Sequence, residues 1–386
     1  MKIGIAGWGH TRFGRHQHLA LEDLIVSAGR EALLHAELDP SDVDAIYVAH
    51  LNGGFVRDSF VSSLALQIDD RLRFTPSTRV ENACASGGAA IFQALNDIEA
   101  RRARNVLVIG AEKMTEVSGS DVTEILAGAT YVREEASHGV TFAGLFGDVA
   151  TQYFQTFGDK SRALAGVASK NHCNGALNPL AHFQKPLTEE QCHEVGPSNP
   201  LVAGPLRRTD CSAVSDGAAA LVLSGEDAAP RRLRARFLAR AHVNDYLPMS
   251  RRNVTRFEGP RLAWARALAQ ARLSVWDLCF AEVHDCFTIA ELLAYEAMGL
   301  APYGAADRLV NDGVTRRDGR FPVNPSGGLK AKGHPVGATG VSMHVMAAMQ
   351  LAHVANDFQV KADGVAGVFN MGGSAVANYV SLLSAV

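Results

Sequence analysis

Short runs of β-branched and other apolar residues alternate with alanine-rich helical patterns along this sequence. The alternation predicts an α/β protein in which helices cover both faces of the strands. In the first half the predicted strands are 2–6, 45–49, 106–110 and 219–223, and the predicted helices are 19–35 and 87–102.

The second half repeats this order of elements. Its predicted strands are 232–240, 279–283, 364–369 and 375–382, and its predicted helices are 260–271, 288–298 and 340–354. The repeated order indicates an internal duplication with a junction near residues 225–231. We therefore predict two halves, residues 1–230 and 231–386. An excursion of about residues 116–208, with a proline-rich segment, interrupts the first half, and long segments of this kind usually build or cover a site.

The composition excludes several classes of function. The chain has 386 residues, 47% of them hydrophobic, and its net charge of -3 gives no broad attraction for nucleic acid or anionic lipid. We expect neither a signal peptide nor a membrane span, because no stretch has the required apolar length. The six cysteines include no C-x-x-C pair, so we predict no metal site and no disulfides, and a cytoplasmic protein.

The segment 82–95 (NACASGGAAIFQAL) carries the first chemical signal. A strand ends here and a helix begins, which places Cys84 at a helix N-terminus. The free N–H groups and the helix dipole at such a position stabilise a thiolate, so we predict a lowered pKa and a nucleophilic Cys84. A buried structural cysteine is the alternative interpretation.

A glycine-rich segment, 324–340 (NPSGGLKAKGHPVGATG), surrounds His334 and carries the second signal. So many glycines indicate that something approaches the main chain closely. A phosphate-binding loop would need G-K-[ST], which is absent. His334 is therefore either a general base or a structural histidine.

Two further segments lie at predicted strand ends. His284-Asp285-Cys286-Phe287 follows the strand 280–283, where side chains point into the crevice of an α/β sheet. A metal site would need more ligands at a suitable spacing. The segment 370–374 (NMGGS) is a glycine turn between the last two strands.

Together these four segments resemble the thiolase family over essentially the whole chain. Residues 333–340 (GHPVGATG) are similar to that family's G-H-P-x-G-x-[ST]-G motif, and Cys84 lies where thiolases have a nucleophilic cysteine. Two motifs differ: H-D-C-F replaces N-E-A-F at 284–287, and N-M-G replaces C-x-G at 370–372. The chain therefore resembles the sterol-carrier-protein type of thiolase, in which Cys286 would replace the second catalytic cysteine.

The resemblance implies a five-layer αβαβα sandwich of two duplicated halves with an inserted loop domain. It also implies acyl-CoA as substrate, no tightly bound cofactor, and carbon–carbon bond formation or cleavage in 3-ketoacyl-CoA. Cys84 would be the nucleophile, His334 its base and Cys286 the second acid/base. The N–H groups of Cys84 and Gly372 would form one oxyanion hole, and the imidazoles of His334 and His284 another.

Weaker expectations concern binding. Pantetheine would pass along the glycines near His334, and the segment 138–147 would wall the acyl pocket. The substrate-binding candidates are Gly327, Gly328, Gly333, Phe287, Phe142 and Leu145. The resemblance further implies a homodimer formed by edge-to-edge pairing of first-half sheets, and it leaves open an OB-fold/zinc-ribbon partner protein.

Other functions compete with this interpretation. A thiolase-like subunit that catalyses retro-aldol cleavage or acetyl transfer with an OB-fold partner stays open. A ketosynthase is disfavoured by H-D-C-F, and a nicotinamide dehydrogenase by Arg12, which stands where the third glycine of its fingerprint should be. A non-enzymatic CoA-ester binding protein should have lost Cys84, Cys286 or His334, and all three are present.

Overall fold

The computed structural model describes residues 2–136, 139–228 and 232–386. Its main feature is a nine-stranded sheet with the strand order β3-β2-β4-β7-β1-β8-β11-β10-β9. The strands are β1 (Ile3–His10), β2 (Ala45–Ala49), β3 (Ser77–Val80), β4 (Asn105–Glu112), β5 (Leu201–Ala203), β6 (Leu206–Arg207), β7 (Gly217–Gly225), β8 (Ala235–Asn244), β9 (Leu278–Val283), β10 (Val365–Gly372) and β11 (Ala377–Ala385). The helices are α1 (Leu21–His35), α2 (Val61–Leu64), α3 (Ser86–Glu99), α4 (Gly119–Ala127), α5 (Phe142–Phe157), α6 (Ser161–Gly175), α7 (Glu189–His193), α8 (Glu258–Ala271), α9 (Thr288–Ala297), α10 (Ala306–Asn311) and α11 (Thr339–Leu351).

The sheet consists of two half-sheets built on the same plan. From edge to centre the first reads β3-β2-β4-β7-β1 and the second β9-β10-β11-β8. A short parallel bridge between Ala281 and Val323 stands where a fifth strand would complete the second half. The halves meet at β1 and β8 through only two residue pairs, Gly4 with Arg236 and Ile5 with Ala235. The predicted duplication is therefore visible in the strand order, while the predicted boundary between residues 230 and 231 lies outside the described residues.

Alternating side chains bury both faces of the first half-sheet. In β4, Val106 and Val108 pack in one apolar cluster with α3, whereas Leu107 and Ile109 pack in another with α1. This follows from the two-residue repeat of a strand, which sends successive side chains to opposite faces. Four apolar residues in succession thus specify a strand covered by helices on both sides.

Five layers result from this packing. Helix α1 covers the outer face of the first half-sheet, and α8, which packs on α9, covers the second. Between the half-sheets, α3 and α11 pack against each other and against strands of both halves. The predicted αβαβα order is confirmed.

The predicted excursion at 116–208 contains α4 to α7 and the small β5–β6 hairpin rather than irregular loop alone. Helices α5 and α6 pack on α9 of the second half, so this segment covers the junction of the halves. Across the described ranges, no helix combines the length and the apolar character needed to cross a membrane.

Helices α3 and α11 approach each other through glycines. A methyl group added at Gly87 would lie 2.6 Å from the backbone nitrogen of Val341 and 2.7 Å from the Cα of Gly340. Such distances are far inside van der Waals contact, and the atoms that would have to move belong to backbone. The close approach of these two helices therefore requires glycine.

We expect Gly87→Ala to lower the free energy of unfolding by about 1–3 kcal/mol, because the methyl group overpacks the contact between α3 and α11. Urea denaturation would measure the change. Gly119→Ala is the matched control, since an added methyl group there, at the start of α4, meets nothing within 4 Å. Equal unfolding midpoints for the two variants would contradict the expectation.

Candidate active site

A tight turn between β3 and α3 presents Cys84. Ala83 has a φ of +50°, a left-handed conformation that costs energy for a residue other than glycine. The Ser86 hydroxyl donates to the carbonyl of Ala83 at 2.6 Å and accepts from the N–H of Asn82 at 2.8 Å. These two hydrogen bonds stabilise the turn, which holds the buried Cys84 at the junction of the two halves.

The second half brings two histidines to this cysteine. Ligand atoms of Cys84, His284 and His334 all lie within 4.8 Å of one another. The two imidazole rings are 5.1 Å apart, centroid to centroid, and nearly perpendicular. Cys286 lines the same cavity as Cys84 and His334. Segments from three distant parts of the sequence therefore meet at one place.

The cavity at this place has a volume of about 390 Å³ and mostly apolar walls. Phe142 and Phe287 line it, with ring centroids 6.4 Å apart. The remaining wall is formed by Met114, Thr123, Leu126, Thr141, Ala143, Val202, Cys211, Ser212, Ala213, Val214 and Val336. Leu145 is buried in α5 and is not among the lining residues. His138, at the start of the predicted wall segment, lies outside the described residues.

The prediction that the pKa of Cys84 is lowered is wrong. Burial, with a smaller contribution from the charge of Glu112, raises the pKa of this thiol to about 12. A hydrogen bond from the N–H of Gly373 opposes the shift only in part. The cost of removing a thiolate from water exceeds the stabilisation by the backbone N–H groups of Gly373 and Cys84. Cys84 is therefore a thiol at rest and needs a base to become a nucleophile.

Both histidines are neutral at rest. Burial lowers the pKa of His334 to about 3, and the charge of Lys332 lowers it further. The pKa of His284 is also well below its usual value, because of burial and then the charges of His334 and Lys332. A neutral imidazole has a lone pair, so His334 can accept a proton.

Two buried carboxylates hold the glycine-rich segment in place. Asp285 accepts the N–H of Leu329 at 2.6 Å and that of Lys330 at 3.1 Å. Glu112, at the end of β4, accepts the N–H of Gly337 at 3.0 Å. Burial raises the pKa of Asp285 to about 7. Neither residue was predicted from the sequence to have a role, although the position of each at a strand end was a usable signal.

The glycines near His334 lie against protein atoms. An added methyl group at Gly328 would lie 2.3 Å from the carboxylate of Asp285, and one at Gly327 would lie 2.7 Å from the Cα of Gly175. At Gly333 it would lie 2.9 Å from the hydroxyl of Ser215. All three have positive φ. Their conformations serve internal packing, and their contribution to substrate binding stays a prediction.

Gly372 ends β10 beside the turn that presents Cys84. A methyl group added there would lie 2.6 Å from the carbonyl oxygen of Asn82. The predicted oxyanion-hole role of its N–H group stays a prediction.

Cys84, His284 and His334 are also a possible set of metal ligands among the described residues. Zn²⁺ binds thiolate and imidazole, and catalytic zinc commonly has three protein ligands. The thiol must lose its proton to bind a metal, and burial of Cys84 opposes that loss. The group therefore suits proton transfer between sulfur and nitrogen better than metal binding.

Comparisons with known proteins indicate one family. The profile described as "Thiolase, N-terminal domain" matches residues 3–227, and "Thiolase C-terminal domain-like" matches residues 241–385. An acetyl-CoA acetyltransferase of Methanothermobacter thermautotrophicus is 37% identical over 96% of both chains. Human sterol carrier protein 2 is 31% identical over 96% of this chain and 70% of its own length. The solved structure of the Ltp2-ChsH2(DUF35) aldolase superimposes with a TM-score of 0.81 at 23% identity, covering 100% of this chain and 98% of that one.

The chain belongs to the thiolase family and is an enzyme of the thiolase-type acyltransferase class. The resemblance to the sterol-carrier-protein type, inferred from H-D-C-F, is confirmed by the match to sterol carrier protein 2.

The raised pKa of Cys84 predicts its reactivity. We expect its alkylation by iodoacetamide to accelerate continuously from about pH 6 to about pH 9, because the thiolate fraction rises about tenfold per pH unit below the pKa. Mass spectrometry of peptides would follow the rate, with the exposed Cys173 as the internal reference for the reagent. A rate that levels off below about pH 8 would mean that a thiolate is present at rest.

Proposed function

We propose that this enzyme forms an acyl-enzyme on Cys84 and makes or cleaves a carbon–carbon bond in a 3-ketoacyl-CoA. The supporting observation is the convergence of Cys84, Cys286 and His334 on one cavity. Acyl-CoA is the substrate, and no tightly bound cofactor is needed. The match to an acetyl-CoA acetyltransferase favours acyl transfer over retro-aldol cleavage or mere binding of CoA esters.

In the first step His334 takes the proton of Cys84, and the thiolate attacks the thioester or ketone carbonyl. The transfer is uphill at rest, since burial raises the pKa of Cys84 and lowers that of His334. It therefore occurs together with the attack, when the charge moves from sulfur to the carbonyl oxygen. The N–H groups of Cys84 and Gly372 stabilise this oxygen.

Cys286 is the second acid/base. Burial raises the pKa of its thiol well above the usual value, and the neighbouring Cys84 and Asp285 raise it further. A thiol that holds its proton is suited to protonate a leaving enolate, and in condensation its thiolate removes the α-proton. His284 and His334 polarise the thioester oxygen on which the enolate charge develops.

The acyl group is apolar. Phe142, Leu126 and Val202 have no polar side-chain atom to offer a substituent that enters the cavity, whereas Thr123, Thr141 and Ser212 contribute hydroxyls to its wall. A polar acyl substituent packed against the aromatic and aliphatic side chains would lose its hydrogen bonds to water.

The two cysteines can be assigned by separate half-reactions. We expect Cys84→Ala to abolish the acyl mass increment left by acyl-CoA. Cys286→Ala should keep this increment but lose α-proton exchange, measured as deuterium uptake by the acyl group, by at least roughly 10².

Cys279→Ala is the matched control, because Cys279 lies on β9 just before this segment but does not line the cavity. It should support both half-reactions. Turnover by Cys84→Ala, or loss of acylation in Cys286→Ala, would mean that the roles are misassigned.

A homodimer is the proposed assembly. β3 is the outermost strand of the first half-sheet, so its free edge can pair with a second copy. Phe74 and Phe60, in the segments that flank this strand, are 84% and 74% exposed. Solvent-exposed aromatic residues beside a free strand edge are typical of an interface.

We expect Phe74→Glu to shift the protein from dimer to monomer in light scattering, because the carboxylate would have to be buried in the interface. Leu34→Glu, at a residue on α1 that is 73% exposed, is the control and should leave the mass unchanged. A wild-type monomer at micromolar concentration would refute the homodimer.

An OB-fold/zinc-ribbon partner is a second assembly to test, since the Ltp2-ChsH2(DUF35) aldolase combines a chain of this fold with a DUF35 protein. Copurification from the native host would reveal it. A cytoplasmic location is proposed as well, supported by six cysteines that form no disulfide.

A further inference from the structure

Asn370 connects the two halves of the active site through its side-chain amide. Its Oδ1 accepts the N–H of Gly88 at 3.1 Å, and its Nδ2 donates to the carbonyl of Cys84 at 3.0 Å. A backbone N–H can only donate and a carbonyl can only accept, so these two bonds fix which end of the amide is nitrogen. The residue is fully buried, and no rotation relieves this constraint.

The fixed amide determines the protonation of His284. The Nδ2 of Asn370 lies 3.1 Å from the Nδ1 of His284. An amide nitrogen is a donor, so this Nδ1 must be the acceptor and carry no hydrogen. In the neutral imidazole the hydrogen is then on Nε2, which can only donate. Neither nitrogen of His284 has a lone pair left for a metal or for a proton.

Thr339 has the opposite effect on His334. Its hydroxyl lies 2.6 Å from the Nδ1 of His334 and 2.9 Å from the carbonyl oxygen of Pro335. The hydroxyl has one hydrogen and the carbonyl can only accept, so both contacts are hydrogen bonds only when the hydroxyl donates to Pro335 and accepts from His334, whose Nδ1 then carries the hydrogen. The Nε2 of His334 keeps its lone pair and can accept a proton.

We infer that Asn370 and Thr339 are positioning residues that impose opposite tautomers on His284 and His334, and so divide the work of the two imidazoles. The inference rests on the proposed function and extends it. In the resting enzyme, His284 alone of the two can donate a hydrogen bond to a substrate oxygen, and His334 alone can take a proton. His334 becomes a donor only after the proton of Cys84 has moved to its Nε2.

Protons balance in this scheme. The S–H bond of Cys84 breaks as the N–H bond at Nε2 of His334 forms, and the sulfur's electron pair forms the bond to the acyl carbon. The bond from that carbon to the enolate carbon then breaks, and Cys286 protonates the enolate. CoA thiol, deprotonated by the Cys286 thiolate, attacks the acyl group, and Cys84 leaves as a thiolate that recovers its proton from His334.

The tautomers can be read directly from wild-type protein. In a ¹⁵N–¹H long-range correlation spectrum of histidine-labelled enzyme, the two nitrogens of a neutral ring have distinct shifts and coupling patterns. His284→Gln and His334→Gln, each of which removes one set of signals, would assign the rings. We expect the Nε2–H form for His284 and the Nδ1–H form for His334. The same tautomer in both rings, or the reverse assignment, would overturn the inference.

Variants test the positioning role. Thr339→Val removes the acceptor while keeping the side-chain shape, so the signals of His334 should lose the Nδ1–H pattern and the rate of Cys84 acylation should fall by roughly 10² with little change in KM. Thr339→Ser keeps the hydroxyl and should restore both the pattern and the rate. A Thr339→Val protein with an unchanged spectrum and an unchanged acylation rate would overturn the role of Thr339.

Asn370→Asp tests the other histidine, because a carboxylate only accepts and should draw a hydrogen onto the Nδ1 of His284. We expect that change in the spectrum, together with a larger loss of α-proton exchange than of acylation. An Nε2–H pattern that survives in folded Asn370→Asp would overturn the role of Asn370. If the enzyme shows the inferred tautomers but forms no acyl adduct, the proposed function is refuted and the inference about the tautomers stands.

Discussion

The backbone contact between the N-terminal ends of α3 and α11 is the constraint on which the active site depends. Gly87 and Gly340 leave room for the two helices to touch, and each helix starts just after one of the reactive segments. The turn that presents Cys84 precedes α3, and the segment with His334 precedes α11. In each half, one of these segments precedes a helix of the central layer. The duplicated α/β plan therefore brings Cys84 of the first half close to His334 of the second.

Desolvation dominates the electrostatics of this site. It raises the pKa of both cysteines and lowers the pKa of both histidines, so every reactive group is uncharged at rest. Charge appears only when substrate is present to receive it. Asp285 and Glu112 accept hydrogen bonds from backbone N–H groups of the glycine-rich segment. These two carboxyl groups therefore hold that segment in place rather than transfer protons. In a site whose reactive groups are uncharged, the directions of the hydrogen bonds decide which atoms can donate or accept a proton. The tautomers of the two imidazoles therefore determine what each ring can do.

Much of the fold was predictable from local pattern. The predicted strand 45–49 coincides with β2, and the helix predicted at 288–298 ends within one residue of α9. β3 received no predicted range, because Ser-Thr-Arg-Val is short and only half-buried at a sheet edge. The excursion at 116–208 was expected to be loop, yet its helices bury residues such as Phe146 and Tyr153 against other segments, which local periodicity could not show. Leu145 was a substrate-binding candidate because it lies in the segment 138–147 expected to wall the acyl pocket, but its side chain is buried in α5 and is not among the residues that line the cavity.

The sequence by itself determined the alternation of strands and helices, the duplication and the candidates for reactive side chains, since these follow from periodicity and from the chemistry of cysteine and histidine. Only the tertiary structure decided their protonation. The pKa of Cys84 depends on how much water the fold removes, and the hydrogen on each imidazole depends on which side chain, 5 residues away for His334 and 86 for His284, faces its Nδ1. Desolvation and hydrogen-bond direction are properties of a packed environment, and a linear sequence contains neither.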